Sequence, residues 1–133
     1  MDDENIALID ISYIAGLFDG EGSIDYAKRK KGWDILMRIQ MTDEDVLRWV
    51  KETLKMGTVR KKNRSPSIKA HWKDSWIYSI RYRQAYHLCK MLWPHAKVKL
   101  HKIEQIIDHY EPDLQGLDDN IVDFAMERES RNV

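Results

Sequence analysis

Two acidic residues stand among glycines in the stretch YIAGLFDGEGSI, residues 13–24. Asp19 and Glu21 follow an apolar run that predicts a core helix, and they precede a run that predicts a strand. Placing carboxylates at the end of an apolar segment is costly unless another group pairs with them. Ala15 and Gly16 are small enough to let a second backbone come close to the helix. The stretch therefore predicts a helix contact and a pair of acids that need a compensating partner.

The charge of the chain is segregated although its formal net charge is zero. Residues 1–22 contain six acids and no lysine or arginine, whereas residues 23–109 contain 20 Lys or Arg and 9 Asp or Glu. Residues 110–133 contain 2 basic and 7 acidic residues. The middle of the chain thus has the basic character of a nucleic-acid-binding protein. A merely solvated charged surface is the alternative.

Composition narrows the class of protein further. The 133 residues fit a single domain over residues 1–133. The single cysteine, Cys89, excludes an intrachain disulfide and is expected to be a small buried side chain. No run approaches the about 20 apolar residues of a membrane span, and the acidic start argues against a signal peptide. We therefore expect an intracellular protein, in the cytoplasm of a bacterium or phage host or in an organelle, with no membrane partner and no small-molecule cofactor.

Hydrophobic periodicity predicts an α+β fold in which helices cover one face of an antiparallel sheet. We predict helices over residues 11–20, 43–55, 83–92, 97–110 and 117–130, and strands over residues 22–29, 34–41, 58–62 and 75–81. The strands form two hairpins, and the residues KKGW, 30–33, are expected to make the first turn.

One face of the predicted sheet is rich in Arg, Gln, Ser and Asp, the side chains that hydrogen-bond to base edges. We predict that DNA contacts this face through Asp25, Ala27, Arg29, Asp34, Arg38, Gln40, Arg60, Lys62, Ser75, Ile77, Ser79 and Arg81, and that Lys31 contacts phosphates. A two-stranded ribbon of this kind fits the major groove of double-stranded DNA.

The run Ile14-Ala15-Gly16-Leu17-Phe18-Asp19-Gly20-Glu21-Gly22 resembles the nine-residue motif of LAGLIDADG homing endonucleases. The predicted αββαββα order is similar to the core of that family, over about residues 10–110. Because this chain has one motif, the resemblance implies a homodimer whose two motif helices pack together. The implied dimer interface contains Tyr13, Ala15, Gly16, Asp19 and Gly20.

The resemblance also implies the chemistry of the acids. The Glu21 carboxylate and the Gly20 carbonyl would bind Mg²⁺ over a scissile phosphate, and Mn²⁺ or Ca²⁺ could replace it. Asp19 is expected to have a structural role, capping or bonding backbone near the interface. Lys99 is the best match to the family's pocket lysine, with Lys97 as its competitor. Asp43 stands where the family often has glutamine, so it is either catalytic or a cap for its own helix.

The resemblance favours a metal-dependent endonuclease that cuts both strands of a long, pseudo-palindromic target and leaves 3′ overhangs. An intron maturase or a DNA-binding regulator of the same fold, without cleavage, is the second hypothesis. An unrelated α+β interaction domain is the third. Retention of Glu21 favours the nuclease, since an acid facing phosphates repels DNA when no metal is bound.

Overall fold

A computed structural model describes residues 6–62 and 74–111 of the chain. The elements follow the order predicted from the sequence: α1 Leu8–Glu21, β1 Gly22–Arg29, β2 Gly32–Met41, α2 Glu44–Leu54, β3 Thr58–Lys61, β4 Trp76–Arg81, α3 Tyr82–Leu92 and α4 Leu100–Tyr110. The predicted terminal helix over residues 117–130 lies outside the described residues. No helix in the described ranges is long and apolar enough to cross a membrane.

The four strands form one antiparallel sheet in the order β1-β2-β4-β3. The register pairs Gly22 with Ile39 at one end of the sheet and Arg29 with Gly32 at the other. The predicted four-residue turn is therefore too long, because only residues 30 and 31 separate the strands. Trp33 belongs to β2, and its ring stacks on Tyr26 of β1 at a centroid distance of 4.7 Å.

The helices cover one face of the sheet and bury its alternating apolar side chains. The largest side chains in this core come from every layer: Phe18, Ile35, Met37, Ile39, Leu47, Leu54, Tyr78, Ile80, Leu88, Leu92 and Ile103. Cys89 is part of the same core, as predicted, and burial raises the pKa of its thiol. Fully burying one such aliphatic or aromatic side chain contributes about 1.5–3 kcal/mol, so this face fixes the orientation of the sheet.

A buried hydrogen bond ties the end of α2 to the sheet. The Tyr78 hydroxyl donates to the Met56 carbonyl at 2.8 Å, and desolvation raises the pKa of that hydroxyl. Gly57 follows with a φ of +91°, and a Cβ there would lie 2.6 Å from the Tyr78 ring. Glycine is thus required at this turn by both its backbone conformation and the close approach of Tyr78.

Candidate functional site

Glu21 is the last residue of α1 and is exposed to solvent. Within residues 6–62 and 74–111, its carboxylate makes no hydrogen bond or ion pair. An acid at a helix C-terminus faces the negative end of the helix dipole, which is unfavourable by about 0.3–1 kcal/mol. The last turn of α1 contains no basic residue to offset it. A cation bound at Glu21 would remove this penalty.

The chain turns from α1 into β1 without a loop, so Glu21 stays at the junction of helix and sheet. Gly22 donates its backbone N–H to the Phe18 carbonyl. A Cβ at Gly22 would lie 2.7 Å from that carbonyl oxygen and 2.8 Å from the Phe18 ring. Only glycine fits so close to the helix, which explains why the motif ends on this residue type.

The Asp19 side chain points toward another part of the same chain, where it holds the segment before α4. Its Oδ2 accepts a hydrogen bond from the Lys97 backbone N–H at 2.7 Å, and its Oδ1 accepts one from the Lys99 N–H at 3.0 Å. The Lys99 ammonium donates to the Asp19 carbonyl at 3.1 Å. The structure thus places the Lys99 side chain, rather than that of exposed Lys97, against the end of α1. Asp19 bonds backbone, as expected, and both of its carboxylate oxygens bond its own chain, so its place in the dimer interface stays a prediction.

An exposed face of α1 consists of Ile9, Tyr13, Gly16 and Gly20, which lie together at about 3.6 residues per turn. Ile9 is 77% exposed and Tyr13 is 54% exposed. A Cβ added at Gly16 or Gly20 would meet nothing within 4 Å. Small residues thus leave open space along an apolar helix surface.

Ala15 does not belong to the exposed face of α1. It is 1% exposed and packs in the hydrophobic core of the chain. Its assignment to the dimer interface is therefore corrected: the helical period turns it toward the sheet, away from Gly16.

Asp43 caps α2, the second of the roles that its position suggested. Its Oδ1 accepts a hydrogen bond from the Val46 backbone N–H at 3.1 Å. Asp43 also lines a groove with Ile9, Tyr13 and Trp49, beside the first half of α1. Tyr13 lies about 12 Å along the helix from its end at Glu21, given a rise of about 1.5 Å per residue. The groove therefore places Asp43 beside the opposite half of α1 from Glu21.

The donors at the end of α1 fit a hard divalent cation. Mg²⁺ prefers oxygen ligands, and this helix end offers the Glu21 carboxylate and the Gly20 main-chain carbonyl. The Gly20 carbonyl is one of the last four in α1, which α-helix geometry leaves without an intrahelical partner. No group of three or more His, Cys, Asp or Glu side chains that could hold a metal occurs in the described part of one protomer. A metal ion at this end would therefore need further ligands from outside the described residues, such as phosphate oxygens or water.

The sheet register places the sequence-predicted DNA-binding strand residues on one face, opposite the helices. This polar face carries Asp25, Ala27 and Arg29 from β1, Asp34, Arg38 and Gln40 from β2, Ile77, Ser79 and Arg81 from β4, and Arg60 from β3. Ser75 and Lys62 continue it beyond the strand ends, since the Lys62 backbone N–H donates to the Ser75 carbonyl. Lys31 lies in the turn at the far end. The predicted DNA-binding residues thus form one continuous surface. Their contacts with DNA remain a prediction.

Side chains of the polar face pair with one another across strands. Arg38 lies 3.1 Å from Asp25, and the Gln40 amide donates to the Ser75 hydroxyl at 3.3 Å. Asp34 is 3.9 Å from both Arg29 and Arg81. Such half-exposed pairs contribute about 0–1 kcal/mol each, so exchanging them for contacts with a ligand costs little.

The polar face differs from the prediction in a few positions. Ile77 lies on it but is only 6% exposed, as is Leu36 further along the same face, so we correct Ile77 from a contact residue to a supporting one. Ser23 faces Arg38 and Thr58 faces Ser79, and both are exposed. Sequence reasoning missed these two residues, although strand alternation from Asp25 and Arg60 would have found them.

Comparisons with solved structures establish the fold. The homing endonuclease I-CvuI in complex with its target in the presence of Ca matches with a TM-score of 0.63 and 16% identity, covering 76% of this chain and 65% of that one. The archaeal intron-encoded homing endonuclease I-Vdi141I complexed with DNA matches with a TM-score of 0.60 and 17% identity, covering 81% and 70%. The homing endonuclease I-TnaI matches with a TM-score of 0.55 and 22% identity, covering 88% and 86%. The chain thus spans about two thirds of the length of the first two.

Comparisons of sequence extend this result. No curated protein sequence matches significantly. The family model described as a LAGLIDADG-like domain matches residues 9–90, which include nearly all of α1, the whole sheet and most of α3. Since this match spans more than half of the chain and the structural neighbours share its α+β fold, the protein belongs to the LAGLIDADG family.

Proposed function

We propose that this protein is a site-specific double-strand DNA endonuclease that acts as a homodimer and requires a divalent metal ion. The observation that carries the proposal is the exposed carboxylate of Glu21, which has no partner among residues 6–62 and 74–111 and lies at the end of a helix whose exposed face is lined by glycine. The Lys99 ammonium lies at the same helix end. The three structural neighbours described above are homing endonucleases, which supports a nuclease of this family.

The exposed face of α1 supports the homodimer. Burying Ile9 and Tyr13 against a second copy would remove two large apolar side chains from water, and Gly16 and Gly20 would let the two helix backbones approach closely. A two-fold axis beside this face uses the same surface on both protomers. The two Glu21 residues, one from each protomer, would then meet at the centre, one for each DNA strand.

Glu21 and Gly20 would hold the metal ion through the carboxylate and the main-chain carbonyl. We propose Mg²⁺, with Mn²⁺ or Ca²⁺ able to occupy the same oxygens. When bound, such an ion supplies Lewis-acid stabilisation of the negative charge that develops on the phosphate. Structures of the neighbour I-CvuI in complex with DNA were solved in the presence of Ca and of Mg.

Lys99 would act on the scissile phosphate from the same side. Its ammonium is held at the end of α1, so it can hydrogen-bond either a phosphate oxygen or the attacking water. A fixed cation aimed at developing negative charge stabilises the transition state without reorganisation during the reaction. Asp43 is not included in this chemistry, because its carboxylate caps α2.

The polar face of the sheet would read the target. β1 has eight residues and is therefore about 26 Å long, the rise of about eight base pairs. Gly22 at its start adjoins Glu21, so Arg38 and Gln40 would contact bases near the cleavage site. Arg29 and Lys31 would contact the outer part of the half-site. Two such faces related by two-fold symmetry require a long, pseudo-palindromic target.

A selection for cleavage tests this function. The protein is incubated with a randomised duplex library and Mg²⁺, and the ends of cut molecules are sequenced, with EDTA as the control. We expect two-fold symmetric base preferences, cuts in both strands with 3′ overhangs, and no cleavage in EDTA. Sequence-specific binding without cleavage in Mg²⁺ or Mn²⁺ would refute the nuclease and favour a maturase or DNA-binding regulator.

A further inference from the structure

The two backbone hydrogen bonds of Asp19 join residues about 80 positions apart in the chain. We propose that Asp19 is a positioning residue for the cleavage reaction, which acts by fixing Lys99 against the end of α1. This inference rests on the proposed nuclease function, since it assigns Asp19 a role in the same site. Asp19 itself is not proposed to touch DNA or metal.

The N-terminus of α4 is where Asp19 exerts its effect. Lys99 occupies the N-cap position of α4, and no side chain caps it there in the usual way. Lysine is a poor cap because it has no acceptor for the free N–H groups of the first turn. The Asp19 carboxylate instead accepts hydrogen bonds from the backbone N–H groups of Lys97 and Lys99. Its negative charge also lies at the favourable end of the α4 dipole. Asp19 of α1 therefore stabilises Lys99 at the N-cap of α4, a position where the sequence of α4 alone would not favour lysine.

The other contact of Asp19 restrains the Lys99 side chain. The ammonium donates to the Asp19 carbonyl at 3.1 Å, one peptide before the proposed Gly20 ligand. Lysine has a flexible four-carbon stem, and its ammonium is a point charge that must be placed by its surroundings. Asp19 holds both the backbone and the tip of the same residue. The ammonium is thus held against the last turn of α1, which contains Gly20 and Glu21, before DNA binds.

A purely structural role for Asp19 would give the same contacts, so the test must depend on Lys99. We would compare wild type, Asp19→Asn, Lys99→Met and the double variant in a double-mutant cycle. Asparagine keeps the size of the side chain but directs an NH₂ donor at one of the two backbone N–H groups. The measurements are single-turnover cleavage at saturating DNA with Mg²⁺, and DNA affinity with Ca²⁺. Glu52→Gln, an exposed acid-to-amide change on α2, is the matched control.

The expected pattern is strong non-additivity in the rate alone. Misplacing a catalytic group by about 1 Å can cost about 100-fold, so Asp19→Asn should slow cleavage by about 10- to 100-fold. In the Lys99→Met background the same change should cost less than about 2-fold, since no ammonium is left to position. Asp19→Asn should change DNA affinity by less than about 2-fold, both in the wild-type and in the Lys99→Met background, and Glu52→Gln should change neither measurement by more than that.

Several results would overturn the inference. Equal rate losses from Asp19→Asn in both backgrounds would show that Asp19 acts independently of Lys99. A loss of affinity equal to the loss of rate would show general damage to the fold. If Asp19→Asn does not fold by circular dichroism, the cycle is run with Asp19→Glu, which keeps the charge but moves it by one methylene. A wild-type protein that does not cleave any duplex would refute the proposed function and this inference together, whereas cleavage with an additive cycle would refute the inference alone.

Discussion

Replacing Gly16 with alanine should have opposite effects on the protomer and on the dimer. Within the protomer, a Cβ at Gly16 meets nothing within 4 Å, so the new methyl group causes no clash. Alanine is more stable than glycine inside a helix by about 0.5–1 kcal/mol. The free energy of unfolding of the isolated protomer should therefore rise by about that amount. A mutation that only damaged α1 would lower it.

The dimer should weaken because the same methyl group enters the contact twice, once from each protomer. Overpacking a close contact costs about 1–3 kcal/mol, and each 1.4 kcal/mol is tenfold in affinity. We expect the dissociation constant to rise by about 10- to 100-fold for Gly16→Ala. Gly16→Leu places a full side chain between the helices and should abolish dimerisation.

Sedimentation equilibrium without DNA measures the assembly directly. Wild type should have a mass near twice the 15.8 kDa of one chain, and Gly16→Leu should have a mass near 15.8 kDa. Urea unfolding of Gly16→Ala at concentrations where it is monomeric supplies the stability of the protomer. Glu52→Leu adds the same side chain at an exposed position of α2 and should leave the dimer intact. A Gly16→Leu variant that remains a dimer, or a wild type that is monomeric at high concentration, would refute the interface.

Two further predictions concern the role of Asp43 and the DNA contacts of Arg38 and Lys31. Asp43→Ala removes the acceptor for the Val46 N–H, so it should lower the free energy of unfolding in urea by about 0.5–2 kcal/mol. The cleavage rate at saturating DNA should stay near wild type. A large loss of rate without a loss of stability would restore Asp43 as catalytic. Arg38→Ala should relax base preference at one position in each half-site by about 1–3 kcal/mol, as read by sequencing of cut libraries. Lys31→Ala should weaken binding to all sequences alike and reduce the slope of log affinity against log salt concentration by about one. A uniform loss for Arg38→Ala would contradict base reading by the sheet.

Periodicity predicted the elements and the faces of the sheet because alternation and helical spacing are local properties. The spacing of apolar and polar residues within about ten positions predicts the four strands, the helices that cover them and the apolar core residues. The turn at residues 30–31 was mislocated because Trp33 reads as part of a turn, while stacking on Tyr26 extends β2 to Gly32. Such cross-strand packing is visible only once the register is known.

The site was less predictable because α1 is apolar nearly all round. Its sequence gives no clear polar side, so Ala15 and Gly16 look equally suited to a helix contact, and only the position of the sheet decides that Ala15 is buried. The bonds from Asp19 to residues 97–99 likewise depend on the tertiary fold. The resemblance of the motif identified Glu21 and Gly20 as candidates, and that of the segment WPHAKVKLHK, residues 93–102, identified Lys99; the geometry then explained how Lys99 reaches the helix end.

Cleavage by Glu21→Gln shows whether the Glu21 carboxylate holds the metal ion that the reaction requires. Glutamine keeps the shape of Glu21 and removes the charge that would hold the metal ion. On a selected duplex with Mg²⁺, we expect this variant to lose double-strand cleavage by at least about 100-fold while its DNA affinity stays within about 2-fold of wild type. Cleavage by Glu21→Gln at the wild-type rate would show that Glu21 is not the metal ligand and would contradict the account.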